Sequence, residues 1–292
     1  MIRYDPKSWF GLIFKFHKSD TFQQMFWVLI AFAVFTGVVV YIELAYKEYF
    51  SFKSTTAIHS LLGFVIGLLL VFRTNTAYER WWEGRKQWGA LVNSSRNFAL
   101  KLNAILPPEL KEERRFFNTL IIDFVFALKE HLRKGVKFEE LDGDGIENWD
   151  KIKSAVHVPN AIISEVQKKV QKLYSSSVIT GDQLINLDKE MKDLIDILGA
   201  CERIRNTPIP YSYSLFLKKF IFAYTVTMPL GLVFDFQYWS IPIVTFVLYV
   251  FGSLELIAEE IEDPFGVDAN DLPTDDLARK IKANVTEIFE LK

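Results

Sequence analysis

The apolar run from Ala57 to Phe72 passes without a break into RTNTAYERWWEGRKQWG, a polar stretch dense in aromatics and charges. That junction constrains the fold more than any other feature. A lipid-crossing helix needs roughly 20 apolar residues, with a range of about 17–25, and this run reaches only the bottom of that range. It reads as a second membrane span, shielded from lipid inside a helical assembly and leading straight into a cytoplasmic body. Phe64, Leu68 and Phe72 recur at every fourth position, so at about 100° per residue they form one slowly drifting stripe. Gly63 and Gly67 make a GxxxG pair beside it, a spacing that lets another helix backbone approach closely. From pattern alone, such a stripe is either a packing surface among neighbouring helices or the wall of a pore.

Composition agrees with a membrane location. Of the 292 residues, 50% are hydrophobic and 15% aromatic, with 26 Phe, more than a soluble core of this size requires. The net charge of -2 gives no electrostatic case for nucleic acid. The one cysteine, Cys201, excludes an intrachain disulfide framework and a cysteine-rich zinc site. The first residues, MIRYDPKSWFGLIFKFHKSD, carry aromatics and charges in place of a cleavable leader, so the chain is expected to be complete as written.

Four hydrophobic stretches stand out: Phe26 to Tyr46, Ala57 to Phe72, Phe220 to Phe234 and Trp239 to Ile257. The third contains Pro229, and the fourth contains Pro242 and Glu255, features tolerated where neighbouring helices or water satisfy the freed backbone and the charge. Arg3, Lys7, Lys15 and Lys18 precede span one, and the link between spans three and four carries no Lys or Arg. By the positive-inside rule, both termini and the middle segment are cytoplasmic. Within that middle segment, helical character runs to about Ile105, LPPEL breaks it, and Phe116 to Leu132, Ala161 to Tyr174 and Leu187 to Arg205 read as amphipathic helices. The expected division is 1–72 for the N-terminal segment and spans one and two, 73–217 for a helical cytosolic domain, 218–257 for spans three and four, and 258–292 for an acidic C-terminal segment. The fold class is all-α.

An enzyme reading finds little in the chain. None of His17, His59, His131 and His157 forms HExxH, and there is no P-loop, GxSxG or GxGxxG. The Asp142-Gly143-Asp144 stretch fails the EF-hand pattern at Ile146 and Glu147 and reads as a solvated turn. A stronger acidic feature is AEEIEDPFGVDANDLPTDD, in which Pro264 and Gly266 turn the chain so that carboxylates on both sides can converge. Hard oxygens gathered in this way suit calcium. The same residues equally describe an acidic helix exit followed by a new helix start, where the dipole favours Asp.

TAYERWWEGRKQWG, CERIRNTPIPYSYSLFLKKF and EDPFGVDANDLP stand in this order along the chain, and together they resemble the corresponding segments of the bestrophins, including bacterial members. The resemblance covers nearly the whole chain. It implies a homopentameric ion channel whose five second spans line a central pore above a cytosolic cavity. In that family the neck consists of three apolar side chains spaced by four, the last lying eight residues before the Arg of the RWW motif. With Arg80 as that Arg, the neck falls on Phe64, Leu68 and Phe72. Five copies form an apolar collar that gates by dewetting or side-chain movement, and an aromatic ring presented edge-on tolerates an anion. Arg73, just below, either adds positive charge near the exit or is paired with a carboxylate. The family's cytosolic aperture falls near Asp182, and a ring of five Asp182 favours cations. The calcium clasp of eukaryotic relatives maps onto Glu260, Asp263, Asp268 and Asp271, together with a backbone oxygen of the N-terminal segment.

The resemblance thus implies passive conduction of small anions such as chloride, with sodium conduction as the alternative, by a multi-pass protein of a bacterial inner membrane. Eukaryotic family members are calcium-activated anion channels, and some bacterial members are cation-selective. The rival from another class is a membrane-anchored scaffold with no pore. The expected partners are four further copies of the chain, the lipid bilayer and the permeant ion, with no nucleic acid. Calcium is the only cofactor implied.

Overall fold

A computed structural model describes residues 20–46, 55–143 and 146–290. Among them all regular structure is helical: α1 (Asp20–Ala45), α2 (Thr56–Ile105), α3 (Lys111–His131), α4 (Trp149–Lys153), α5 (Val158–Ser175), α6 (Gly181–Asn206), α7 (Tyr211–Phe236), α8 (Ser240–Glu262) and α9 (Thr274–Glu290). Short 3-10 turns occupy Phe138–Glu140 and Gln237–Trp239. The apolar run and the RWW motif lie on one continuous helix, α2. Arg3, Lys7, Lys15, Lys18 and His17, and the N-terminal oxygen implied for the calcium clasp, lie outside the described residues.

The chain divides into two compact units, one built from 2–80 with 208–262 and the other from 81–207 with 263–292. Among the described residues, three helical stretches are long and apolar enough to cross a membrane: Thr21–Ala45, Thr56–Ile105 and Gly181–Glu262. The last of these holds both α7 and α8. In the first unit, α1 packs on α8 and α7, and α7 packs on α8. Ile66 and Leu70 of α2 bury against Leu217, Ile221, Tyr224, Met228 and Leu232 of α7 and Val244 of α8. Tyr224 donates its hydroxyl to the His59 carbonyl at 3.1 Å. That phenol lies over Gly63, where a Cβ would come within 2.7 Å of it, whereas a Cβ at Gly67 would meet nothing within 4 Å. Among the described residues, only Gly63 of the pair therefore carries a packed neighbour.

The second unit is organised around α3, with α5 and α9 packed against it and α6 against α5. Its apolar residues Phe117, Leu120, Ile121, Phe124, Val125 and Leu128 are buried, as the amphipathic reading of Phe116 to Leu132 requires. The C-terminal residues join this unit: Ala278, Ile281, Val285 and Ile288 of α9 are buried in the same core. Three helix starts lie upstream of where the apolar periodicity begins: α3 opens at Lys111, directly after LPPEL, and the other two have identifiable caps. α6 opens at Gly181 because Thr180 and Gln183 form a reciprocal capping box. α5 opens at Val158 with Pro159 in its first turn, capped by the His157 ring, which accepts the Asn160 N–H at 3.3 Å.

The Asp142–Gly143 turn has a partner in the core. Asp123, buried in the middle of α3, accepts the Asp142 N–H at 2.9 Å and the Gly143 N–H at 3.1 Å. Burial pushes the Asp123 carboxyl above its ordinary range, with the two backbone N–H groups acting in the opposite direction. Gly143 adopts φ +57°, and a Cβ there would collide with the Trp149 indole, so glycine is required on both counts.

A network of charges fastens α9 to α3. Arg133 grips Asp275 with two bonds, Nη2 to Oδ2 at 2.7 Å and Nη1 to Oδ1 at 3.1 Å. Lys129 reaches Asp275 Oδ1 at 2.9 Å, Glu130 at 3.2 Å, and also Glu140. Hydrogen bonding from Arg133, reinforced by Lys129, holds the Asp275 carboxyl well below the usual carboxylate range despite its partial burial. A depressed folded pKa contributes stability that is present above the unfolded value of about 3.9 and is lost as pH falls through the folded value. Asp275→Asn is expected to cost about 1–2 kcal/mol near pH 7, a figure discounted because half of the Asp275 side chain is exposed. The wild-type advantage over Asp275→Asn should shrink progressively below about pH 4, measured as the difference in thermal unfolding midpoints across pH.

Candidate functional site

Helix α2 presents two opposed faces in its apolar half. At about 100° per residue, His59, Ile66, Leu70, Arg73 and Ala77 share one sector and Phe64, Leu68 and Phe72 fall on the opposite side. The first group is buried by the chain's own residues, whereas Phe64, Leu68 and Phe72 are 70%, 47% and 57% exposed. Three large apolar side chains thus stand in one row, each about half or more exposed.

Arg73 belongs to the buried face and is 1% exposed. Its Nη2 meets Glu262 Oε2 at 2.7 Å, and its Nε lies 3.5 Å from Glu255 Oε2. Of the two readings of Arg73, the structure contains the paired one, and the guanidinium is answered by two carboxylates of α8. Glu262 is further fixed by the Ile209 N–H, which it accepts at 2.7 Å, and its backbone carbonyl accepts Arg80 Nε at 3.2 Å. Tyr213 donates to the Leu69 carbonyl at 3.0 Å. These bonds tie α2 to α7 and α8 at the end of the apolar stretch, through residues of all three sequence motifs.

In the other unit the RWW motif and the acidic stretch are again in contact. Trp81 Nε1 donates to the Asn270 carbonyl at 2.9 Å. Phe265 and Pro264 sit on Gly84, where a Cβ would lie 3.1 Å from each. Asp271 is buried, and its Oδ2 accepts the Asp268 N–H at 2.7 Å. Gly266 permits this, since a Cβ there would come within 2.5 Å of that oxygen. Leu272 N–H closes the turn onto the Pro264 carbonyl at 2.9 Å.

Of the residues expected to form a calcium clasp, Asp263 and Asp268 are exposed and Asp271 braces the turn backbone. Glu260 belongs to the other compact unit and is partly exposed. Asp182 is exposed in the first turn of α6, just past the Thr180 cap, where the helix dipole favours a carboxylate.

Among the described residues, the one set of three metal-capable side chains with convergent ligand atoms lies elsewhere, at His131, His157 and Glu202. Residues so far apart in sequence form no local motif, and only the packing of α3, α5 and α6 brings them together. Nearby Cys201 is buried, and burial pushes its thiol up to about 12, with the Glu202 and Glu83 charges adding to the shift.

An all-helical chain with apolar membrane-crossing helices, and with a row of apolar side chains left exposed on the second, has the architecture of a helical membrane protein. Comparison with known proteins gives the family. The family model described as "Bacterial/Fungal Bestrophin protein" matches residues 1–287, and the chain belongs to the bestrophin family. A voltage-dependent anion channel-forming protein of Synechocystis sp. is 33% identical over 290 residues, covering 98% of this chain and 93% of the relative. Another from Nostoc sp. is 36% identical over 231 residues, covering 78% and 75%. Among solved structures, a bacterial bestrophin homologue from Klebsiella pneumoniae superposes with a TM-score of 0.84 at 28% identity, covering 92% of this chain and 99% of that one. The chain is a membrane protein of a channel family and not an enzyme.

The Arg73 site yields a direct test. Arg73→Leu leaves Glu255 and Glu262 without their cation in a buried setting and is expected to destabilise the protein by about 3–5 kcal/mol. The measurement is the thermal unfolding midpoint of detergent-solubilised protein, and an unchanged midpoint contradicts the pairing.

Proposed function

We propose that the chain forms a homopentameric channel that conducts small anions such as chloride passively, with α2 lining a central pore and Phe64, Leu68 and Phe72 as its neck. The observation that carries this reading is the row of exposed apolar side chains on the face of α2 opposite the one its own chain buries. In a family member with this helix order, a fivefold arrangement of that row encloses an apolar collar. Such a collar holds no ion tightly and gates by dewetting or side-chain movement. The setting is the inner membrane of a bacterium, with four spans per chain and both termini on the cytoplasmic side, as the distribution of Lys and Arg favours.

Support for anions comes from relatives named as voltage-dependent anion channel-forming proteins. It does not come from Arg73, whose charge is offset by Glu255 and Glu262. Asp182 favours the second reading, a channel for sodium or other monovalent cations, because five exposed carboxylates at a cytosolic aperture would attract cations. Reversal potentials of purified protein in bilayers under a salt gradient separate the two. The expected value lies toward the chloride equilibrium potential, and a value toward that of the cation selects the alternative. Leu68→Ala is expected to raise the current by widening the collar, and current at background in both wild type and variant would support the poreless scaffold.

Calcium enters this reading through the resemblance of Asp268 and Asp271 to a family clasp. Added calcium is then expected to raise the unfolding temperature of the wild type and not of Asp268→Asn. A wild type indifferent to calcium removes the ion from the proposal.

A further inference from the structure

We propose that His131, His157 and Glu202 form a binding site for one divalent transition-metal ion of the zinc class, in the unit that contains α3, α5 and α6. His131 is the last residue of α3, His157 caps the N-terminus of α5, and Glu202 lies in the last two turns of α6. His131 Nε2 and His157 Nε2 each lie 2.7 Å from the same oxygen, Oε1 of Glu202. The two imidazoles are tilted, with ring centroids 4.6 Å apart. Two nitrogens thus converge on one carboxylate oxygen, and ligand atoms brought by three separate helices or their caps lie within 4.8 Å of one another.

The donor set matches a zinc-class ion, which takes imidazole nitrogen and carboxylate oxygen at about 2.0–2.2 Å in tetrahedral geometry. That geometry puts neighbouring ligand atoms roughly 3.3 Å apart, so the trio must open by about half an ångström to admit the ion. Side-chain torsions at the protein surface accommodate such a movement. The three side chains are 26%, 31% and 27% exposed, which leaves an open side for ion entry and for a water as fourth ligand. Calcium and magnesium fit poorly, since both prefer shells made of oxygen alone.

The surroundings hold the ligands in place. Arg205 donates to the backbone carbonyls of His131 and Arg133 and so fixes the end of α3 against α6. Those two carbonyls take one N–H from each of its Nη groups. Metal binding requires His157 to carry its proton on Nδ1 and not on Nε2, which gives up the long 3.3 Å cap bond from Asn160. A bound ion would join α3, α5 and α6 at a single point and brace the unit.

The test uses full-length protein purified in detergent, treated with a chelator and titrated with Zn²⁺ in the presence of excess Mg²⁺ and Ca²⁺. The expected result is one tightly bound Zn²⁺ per chain and a rise in unfolding temperature on its addition. Glu202→Gln preserves size and hydrogen bonding but replaces the charged ligand, and it is expected to weaken Zn²⁺ binding at least about tenfold. His157→Gln should do the same, while both variants unfold cooperatively without metal. A wild type that binds no Zn²⁺, or variants that bind it as tightly as the wild type, overturns the site and leaves a hydrogen-bonded His–Glu–His trio.

Discussion

A helix in a bilayer satisfies its own backbone, so its side chains decide what each face can touch. In α2 that choice is sharply divided. One face carries Ile66, Leu70 and the Arg73 guanidinium, all hidden by α7 and α8, and the other carries Phe64, Leu68 and Phe72 exposed. Burying an arginine is costly unless it is paired. Glu262 at 2.7 Å and Glu255 at 3.5 Å supply that pairing, and in doing so they fix the rotation of α2 about its axis. With that rotation fixed, the opposite row must face whatever lies outside the chain.

The same constraint explains why the sequence motifs take the form they do. Glu262 ends α8 and serves three partners, Arg73, the Ile209 N–H and, through its carbonyl, Arg80. The residues that follow turn tightly because Pro264 and Phe265 lie on Gly84 and because Asp271 folds back onto the Asp268 N–H past Gly266. Within what reads in sequence as an acidic cluster, Asp271 is part of the machinery of a turn. A carboxylate used for a backbone N–H is a structural acceptor first, and any role as an ion ligand competes with that bond.

Much of the helical framework was legible from periodicity and punctuation. The break at LPPEL, the amphipathic pattern from Phe116 and the Asp-rich start before α9 each correspond to a helix boundary or a buried face. The starts of α3, α5 and α6 lie upstream of the apolar spacing, because punctuation and capping, not periodicity, set where a helix begins. Thr180 with Gln183 matches a capping-box signature visible in the sequence, whereas His157 as a cap is a weaker signal. In sequence the Asp142–Gly143 turn reads as merely solvated, because its partner, Asp123, is some twenty residues away on the buried side of α3.

The sequence by itself determined that this is an all-helical membrane protein of the bestrophin family, because hydrophobic runs, turn residues and short motifs act over a few residues and survive as local patterns. It also placed Phe64, Leu68 and Phe72 on one stripe, since that follows from helical spacing alone. Tertiary structure decided which carboxylates neutralise Arg73, which glycine of the GxxxG pair carries a neighbour, and that two histidines and a glutamate from three helices converge. Those outcomes depend on distances between residues far apart in the chain, and such distances exist only once the helices have packed.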